Sequence, residues 1–248
     1  MAFRFKQFHV DDSNCAMKVG TDSVLLGAWT DFSHCNDILD IGTGCGLLAL
    51  MAAQECQAAI TAIDIDEEAC RQATANFNNS RWSDRIQCIN RGLEEFSLNG
   101  AATTTASFDH IITNPPFFIN SLKSPDSGRN KARHNDGLPL KSLLEYSSLL
   151  LRDSGRLSMV FPYDDSFLLI SQAREFSLNL SRQLTIIPGE GKEPNRILLE
   201  FTKVPFGSSE TTTLLTADKS STLTIRDCHG KYTAEYISFT DRFYLKLS

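Results

Sequence analysis

The sequence contains no long apolar run. No stretch approaches the roughly 18 apolar residues that a membrane-spanning helix needs. The first six residues, Met-Ala-Phe-Arg-Phe-Lys, also lack the apolar core of a signal peptide. We therefore expect a cytoplasmic protein that contacts no membrane.

Cysteines and histidines at the spacing of metal ligands are also absent. The seven cysteines are scattered and odd in number, and the sequence contains neither a C-x-x-C pair nor a histidine-rich partner cluster. We interpret them as reduced, buried thiols, as cytosolic proteins have, and we expect no bound metal.

An excess of basic residues is missing as well. The chain has 24 Lys and Arg against 30 Asp and Glu, a formal net charge of −6. Contact with nucleic acid would therefore require a local basic patch, because the overall charge repels phosphates. One loop is locally basic, with a single acid, Asp126, and its candidate RNA-binding residues are Lys123, Arg129, Lys131, Arg133 and His134. The alternative interpretation is a solvated basic loop without function.

Short apolar runs alternate with longer helical stretches from residue 37 onward, which is typical of βαβ units in a mostly parallel sheet. The spacing predicts strands at 37–41, 59–64, 86–89, 108–113, 156–161, 184–187 and 196–203. Helices are predicted at 47–56, 67–79, 140–151 and 164–177. The Pro- and Gly-rich residues 188–194 are too few for a crossover helix, so the last two strands should pair antiparallel.

The two ends and the polar segments complete this outline. Residues 3–8 predict a hairpin, residues 23–29 a helix, and the aromatic spacing within 232–244 an amphipathic helix. Segments 99–107, 119–137 and 207–221 are interpreted as loops. We expect a single α/β domain, in which residues 1–30 form an N-terminal extension that caps the cofactor site of the main unit, 31–248.

A glycine loop follows the first of these predicted strands. Gly42, Gly44 and Gly46 allow a tight turn, and Asp64, at the end of the next strand, can accept hydrogen bonds from both hydroxyls of a ribose. A dinucleotide loop would carry a third glycine where Leu47 stands. Asp40 adds negative charge, which suits a sulfonium cofactor that bears an amino acid better than a pyrophosphate. The alternative is a plain strand-to-helix turn.

A second motif, Asn114-Pro115-Pro116-Phe117, ends the fourth predicted strand at the same edge. The prolines stiffen the chain, so the Asn114 side chain and the Pro115 carbonyl form a fixed pair of acceptors. Two such acceptors can hold both N–H groups of an exocyclic amine and stabilise the charge of the transition state. Phe117 would stack on the base that carries this amine. The alternative is a turn with a core aromatic.

Taken together, residues 5–8, 15–29, 40–50 and 114–117 are similar to the class I amino-methyltransferases with an N-P-P-[FY] motif. More narrowly, the chain resembles the bacterial tRNA1(Val) (adenine-37-N6)-methyltransferase family from near residue 5 to residue 245. The resemblance implies a seven-stranded Rossmann-like sheet of order 3-2-1-4-5-7-6, with the last strand antiparallel and helices on both faces. It also implies S-adenosyl-L-methionine as cofactor and the anticodon stem-loop of a tRNA as substrate. We expect the protein to be a monomer.

The resemblance also assigns residues to the cofactor. Besides the glycine loop, Asp40, Asp64 and Asn114, these are Lys18, Gly20, Thr21, Asp22, Ile65, Gly92 and Leu93, of which 18–22 would close over the methionine end. One position departs from the pattern, because such enzymes often carry an acid after the third strand and this chain has Gly92. Glu94 or a backbone amide would then bind the cofactor adenine.

Other functions use similar residues. The same motif serves methylation of guanine N2 in ribosomal RNA, adenine N6 in DNA and a protein glutamine, since each presents an NH₂ on a planar group. A nicotinamide-dependent oxidoreductase is disfavoured by Leu47 and by the Asn-Pro-Pro-Phe motif. A non-catalytic RNA-binding module is disfavoured because Asn114 and both prolines are intact.

Overall fold

A computed structural model describes residues 2–99, 107–115, 139–205 and 220–245. The strands within this part are β1 (Ala2–Arg4), β2 (His9–Asp11), β3 (Asp37–Ile41), β4 (Ala59–Asp64), β5 (Ile86–Asn90), β6 (Phe108–Thr113), β7 (Leu151–Pro162), β8 (Leu178–Ile187), β9 (Arg196–Lys203) and β10 (Ser220–Thr224). The helices are α1 (Thr21–Trp29), α2 (Leu47–Glu55), α3 (Glu67–Asn78), α4 (Leu93–Asn99), α5 (Leu140–Leu150), α6 (Ser166–Glu175) and α7 (Ala234–Thr240).

The main sheet has the order β5-β4-β3-β6-β7-β9-β8-β10. Strand β9 is antiparallel to β7 and to β8, and the other pairs are parallel. Seven of these eight strands reproduce the expected order 3-2-1-4-5-7-6 with an antiparallel last strand. The Rossmann-like prediction is confirmed.

Helices cover both faces because the central strands are apolar on both sides. Ile38 and Leu39 are neighbours on β3, both fully buried, and they belong to different core clusters. The cluster around Ile38 contains buried residues of α1, α2, α3 and α7, while the cluster around Leu39 contains those of α4, α5 and α6. Asp66 caps α3 by accepting hydrogen bonds from the N–H groups of Glu68 and Ala69.

The N-terminal extension shares this core. Strands β1 and β2 form the predicted antiparallel hairpin, and Phe5, Phe8 and Val10 are buried in the same cluster as Ile38. Asn76 on α3 fixes β2, since its Oδ1 accepts a hydrogen bond from the N–H of Asp11 and its Nδ2 donates one to the Asp11 carbonyl. The hairpin is thus held to α3, the helix that follows β4.

Several expected boundaries were wrong. The sequence predicts a loop at 207–221, yet Ser220 and Ser221 begin β10, an edge strand whose one buried apolar residue, Leu223, gives a weak pattern. Helix α4 was not predicted, because it is short and buries only Leu93 and Phe96 among its first residues. Strands β7 and β8 begin five and six residues before the expected starts at 156 and 184, in stretches of mixed polarity.

All seven cysteines are free thiols. Cys15, Cys35, Cys45 and Cys70 are buried as expected, but Cys228 is exposed because it lies in the turn between β10 and α7. No helix within the described ranges is long and apolar enough to cross a membrane.

Candidate functional site

The parallel register of three central strands brings the predicted site residues to one edge of the sheet. Strand β3 pairs with β4 on one side and with β6 on the other, and Ile41 is opposite both Ile63 and Thr113. The glycine loop follows Ile41, Asp64 follows Ile63 and Asn114 follows Thr113. Ligands of open α/β sheets bind at this carboxyl edge.

The glycine loop adopts the left-handed conformation at three positions, with φ of 67° at Gly42, 55° at Gly44 and 84° at Gly46. A Cβ atom at Gly42 or Gly44 would meet no described atom within 4 Å, so these two residues face open space. A Cβ at Gly46 would clash with the ring of Phe77 on α3. Gly46 therefore allows close packing, whereas Gly42 and Gly44 leave room for a ligand.

Asp40 lies fully buried beneath this loop. Its Oδ2 accepts hydrogen bonds from the Thr43 hydroxyl at 2.6 Å and from the N–H of Ala49 at 3.2 Å. Burial raises the pKa of the Asp40 carboxyl to about 7, which these two hydrogen bonds oppose and the nearby Asp64 reinforces. Its Oδ1 is buried and has no hydrogen-bond partner among the residues that the structure describes. Because buried acceptors are normally hydrogen-bonded, this oxygen is a candidate partner for a donor group of a ligand.

Asp64 ties the loop to the end of β4. Its Oδ2 accepts a hydrogen bond from the Gly44 N–H at 2.8 Å, and its Oδ1 accepts one from the Asp66 N–H at 3.0 Å. The carboxylate keeps further lone pairs that can accept hydrogen bonds from a ligand. Both oxygens are held in fixed positions at the carboxyl edge.

An apolar surface adjoins Asp64. Ile65 is 70% exposed, and a Cβ at Gly92 would lie 3.2 Å from its Cγ2. Leu93, also predicted to contact the cofactor, is buried in the core below. Ile65 and Gly92 thus form a surface on which a planar ring could lie, while only the backbone of Leu93 is left for such a contact.

Asn114 is oriented by a residue that the sequence analysis missed. Its Nδ2 donates a hydrogen bond of 2.9 Å to the hydroxyl of Ser23 on α1, and its Oδ1 is buried without a partner in the described part of the chain. Because the amide nitrogen is engaged, the oxygen is the atom left to accept a hydrogen bond from a ligand. Ser23 precedes Asn114 by 91 residues, and no motif in the sequence links them.

Two of the predicted cofactor residues within 18–22, Lys18 and Asp22, already have partners within the chain. Lys18 Nζ donates hydrogen bonds to the carbonyls of Asp12 and Ser13, at 2.6 and 2.9 Å. Asp22 forms an ion pair with Arg196 on β9, with 2.9 Å between its Oδ2 and the Arg196 Nε. Gly20 and Thr21, at the start of α1, are exposed. Closure of this segment over the cofactor stays a prediction.

The second half of the motif, Pro116 and Phe117, lies outside the described residues. The same is true of the predicted RNA-binding residues Lys123, Arg129, Lys131, Arg133 and His134. Across the described ranges, no group of three or more His, Cys, Asp or Glu residues could hold a metal ion.

The fold and this edge define the class of protein. The sheet resembles that of a predicted O-methyltransferase from Agrobacterium tumefaciens, with a TM-score of 0.61 and 18% identity over 90% of this chain and 96% of the other. Rossmann-like methyltransferases have this strand order with one antiparallel strand. They also have a glycine loop after the first strand and an acid at the end of the second, here Asp64. S-adenosyl-L-methionine is the cofactor of this class.

Sequence comparison gives the family. Residues 15–163 match the model of the Methyltransferase small domain family. The chain is 42% identical over 245 residues to a tRNA1(Val) (adenine(37)-N6)-methyltransferase of Parabacteroides distasonis, covering 99% of this chain and 98% of that protein. It is 41% identical over the full length of both chains to the enzyme of the same name from Shewanella loihica. The chain belongs to the tRNA1(Val) (adenine(37)-N6)-methyltransferase family.

Proposed function

We propose that the protein transfers a methyl group from S-adenosyl-L-methionine to N6 of adenine 37 in the anticodon loop of tRNA1(Val). The observation that carries this proposal is the full-length identity of about 42% with a relative of that name, combined with the orphaned Asn114 Oδ1 at the carboxyl edge. An acceptor fixed at this edge suits an exocyclic amine.

The described residues fit the cofactor. The open faces of Gly42 and Gly44 leave space above the loop, and the exposed Ile65 offers an apolar surface to an adenine ring. The buried, unpartnered Oδ1 of Asp40 matches the positively charged ammonium of a methionine moiety. Asp64 would bind the ribose hydroxyls. When bound, S-adenosyl-L-methionine supplies an electrophilic methyl group.

The chain's own contribution is to hold the nucleophile. Asn114 Oδ1 and the Pro115 carbonyl would accept hydrogen bonds from the two N–H groups of the adenine N6, and the Ser23 hydroxyl keeps the Asn114 amide in the required orientation. The hydrogen bonds to these acceptors strengthen as positive charge develops on N6 in the transition state, which lowers the barrier. The amine then loses its extra proton to solvent. Pro116 and Phe117 would complete the base pocket.

Several further assignments belong to the same proposal. Residues 1–30 would cap the cofactor site, supported by the two hydrogen bonds of Asn76 to Asp11 and by a third to the Cys45 carbonyl in the glycine loop, at 2.8 Å. Lys18, Gly20, Thr21, Asp22, Gly92 and Leu93 would complete the cofactor contacts, and the basic loop would contact tRNA phosphates. A tRNA substrate implies a cytoplasmic enzyme, and we expect it to act as a monomer.

Transfer of labelled methyl groups to an unmodified tRNA1(Val) transcript, followed by nucleoside analysis, tests this function. We expect N6-methyladenosine at position 37, and no incorporation into a transcript with guanine at that position. The Asn114→Ala variant should bind the cofactor but lose at least about 10²-fold in turnover, by analogy with removal of an oxyanion-hole donor. Methylation of ribosomal RNA, DNA or protein instead, with none of tRNA, would overturn the substrate assignment.

A further inference from the structure

An ion pair between α1 and β9 lies at the same edge of the sheet as Asn114. Arg196, the first residue of β9, donates a hydrogen bond from Nε to Asp22 Oδ2 at 2.9 Å, and the two residues are 174 positions apart in the sequence. The Arg196 Nη1 also donates to the backbone carbonyl of Asn195, at 2.9 Å. Both side chains of the pair are 31% exposed, so salt and water screen it only in part.

The first turn of α1 is the part of this helix that the core does not hold. Residues 24–29 are buried, whereas Asp22 and Ser23 are half-buried. The N-cap residue is Gly20, which has no side chain to cap the helix. The hydrogen bond from the Val24 N–H to the Gly20 carbonyl is 3.3 Å long, at the weak end of the usual range. The position of this turn therefore depends on the long-range contacts of Asp22 and Ser23.

Those contacts join two strands of the sheet. Asn114 follows β6, Arg196 begins β9, and β7 lies between these strands. Neighbouring strands are about 4.8 Å apart, so β6 and β9 are separated by about 10 Å. Asp22 binds Arg196, and the next residue, Ser23, binds Asn114, with 2.9 Å in each contact. Consecutive helix residues project about 100° apart, which lets one turn reach both strands.

The orientation of Asn114 depends on where this turn lies. Its Oδ1 is buried and has no partner in the described part of the chain, so the Ser23 hydroxyl is the contact that orients the side-chain amide. Without the Arg196 pair, Asp22 would be released and Ser23 would move with the turn. A displacement of ~1 Å in a reacting group is enough to lower a rate by ~10²-fold.

Arg196 has a second possible role, since a cation beside an RNA site can bind a phosphate directly. The geometry disfavours this role. The Asp22 carboxylate balances the charge of the guanidinium, and the Asn195 carbonyl occupies another of its N–H groups. The two roles differ in kinetics, because loss of a phosphate contact raises KM for RNA, whereas loss of positioning lowers kcat.

We propose that Arg196 is a positioning residue for the methyl transfer, because its ion pair with Asp22 holds the first turn of α1 where Ser23 orients Asn114. The inference rests on the proposed function, in which Asn114 binds the target amine. It adds β9 to α1 and β6 as elements that determine the geometry of the site. Asp22 is also among the residues proposed to contact the cofactor, so the tests change Arg196 and leave Asp22 intact.

Steady-state kinetics with the tRNA1(Val) transcript separate positioning from RNA binding. Arg196→Gln should lower kcat about fivefold, with KM for tRNA and cofactor affinity within about twofold of wild type. Arg196→Lys keeps the charge and should recover part of the lost kcat. The matched control is Arg71→Gln, which breaks an exposed ion pair with Glu67 on α3 and should leave kcat unchanged. A higher KM for tRNA at unchanged kcat would overturn the inference, because Arg196 would then bind the RNA.

A double-mutant cycle tests whether Arg196 acts through Ser23. If it does, Arg196→Gln should lower kcat by less than about twofold in the Ser23→Ala background, because the contact through which it acts is already lost. Independent losses would instead multiply to about fiftyfold in the double variant, taking about tenfold for Ser23→Ala alone. That multiplication would contradict the inference.

Hydrogen exchange gives a result that does not depend on the substrate. In ligand-free Arg196→Gln, the peptide that contains Val24 and Leu25 should exchange at least about fivefold faster than in wild type, while peptides of α3 should exchange at the wild-type rate. Unchanged exchange at Val24 and Leu25 would refute the inference even if the enzyme methylates tRNA. Faster exchange there, with no methylation of tRNA, would leave the positioning of the turn standing and refute only the proposed function.

Discussion

The stability of an Asp40→Asn variant relative to wild type should increase as pH rises from acid to neutral. Burial raises the pKa of Asp40 from its ordinary value of 3.8 to about 7, so the folded state keeps a proton that the unfolded chain releases. A carboxyl whose pKa is raised in the folded state stabilises the protein fully below the unfolded pKa. This stabilisation is lost as pH rises through the interval to about 7.

The size of this effect follows from the two pKa values. One pKa unit corresponds to ~1.36 kcal/mol, so ionising Asp40 in the folded protein without ligand costs about 4 kcal/mol. Between about pH 5 and pH 8, wild type should lose about 3 kcal/mol of this contribution, and Asp40→Asn, which cannot ionise, should not. Both proteins keep the oxygen that accepts from Thr43, so the difference reports the charge.

Urea unfolding of wild type and variant at both pH values measures this difference. His110 must be considered, because its burial and the nearby Arg156 and Arg182 lower its pKa well below the ordinary value, which reduces stability as pH falls below about 6.5. That contribution is common to both proteins and cancels in their difference. Asp84→Asn, at an exposed aspartate, is the matched control. A difference between wild type and Asp40→Asn that is the same at both pH values would refute the reasoning.

Further substitutions separate the roles of the site residues. Ser23→Ala should lower kcat by about tenfold, the order expected for one lost hydrogen bond of ~1.4 kcal/mol, and Ser23→Thr should recover part of the lost kcat. Cofactor affinity measured by calorimetry should not change in Ser23→Ala, and a fall in that affinity would contradict a role through Asn114. Asp64→Ala should weaken cofactor binding by about tenfold or more while kcat at saturation changes less, and wild-type affinity would show the ribose assignment to be wrong. Gly46→Ala should lower the unfolding free energy by about 2 kcal/mol or more, because the added Cβ clashes with the ring of Phe77. Gly44→Ala should lower it by only about 1 kcal/mol but should weaken cofactor binding. Equal losses of stability in the two variants would contradict this distinction.

The sequence pattern was sufficient for most of the central sheet. Strands β3, β4 and β6 are short apolar runs bounded by turn residues, and they begin and end where the pattern places them. Their parallel order brings every motif that follows them to one edge. The sequence therefore predicts that the glycine loop, Asp64 and Asn114 lie close together. The pattern was insufficient for β10, because an edge strand with one buried apolar residue has no periodic signal.

What the sequence by itself determined is therefore the chemistry of the carboxyl edge: three glycines able to adopt positive φ, an acid after the next strand and an Asn-Pro pair after the fourth. Only the tertiary structure decided which atoms of these residues are free. Ser23 engages the amide nitrogen of Asn114 across 91 residues, and burial sets the protonation of Asp40. Local patterns depend on neighbours in the chain, but hydrogen bonding and desolvation depend on neighbours in space, which exist only once the chain has folded.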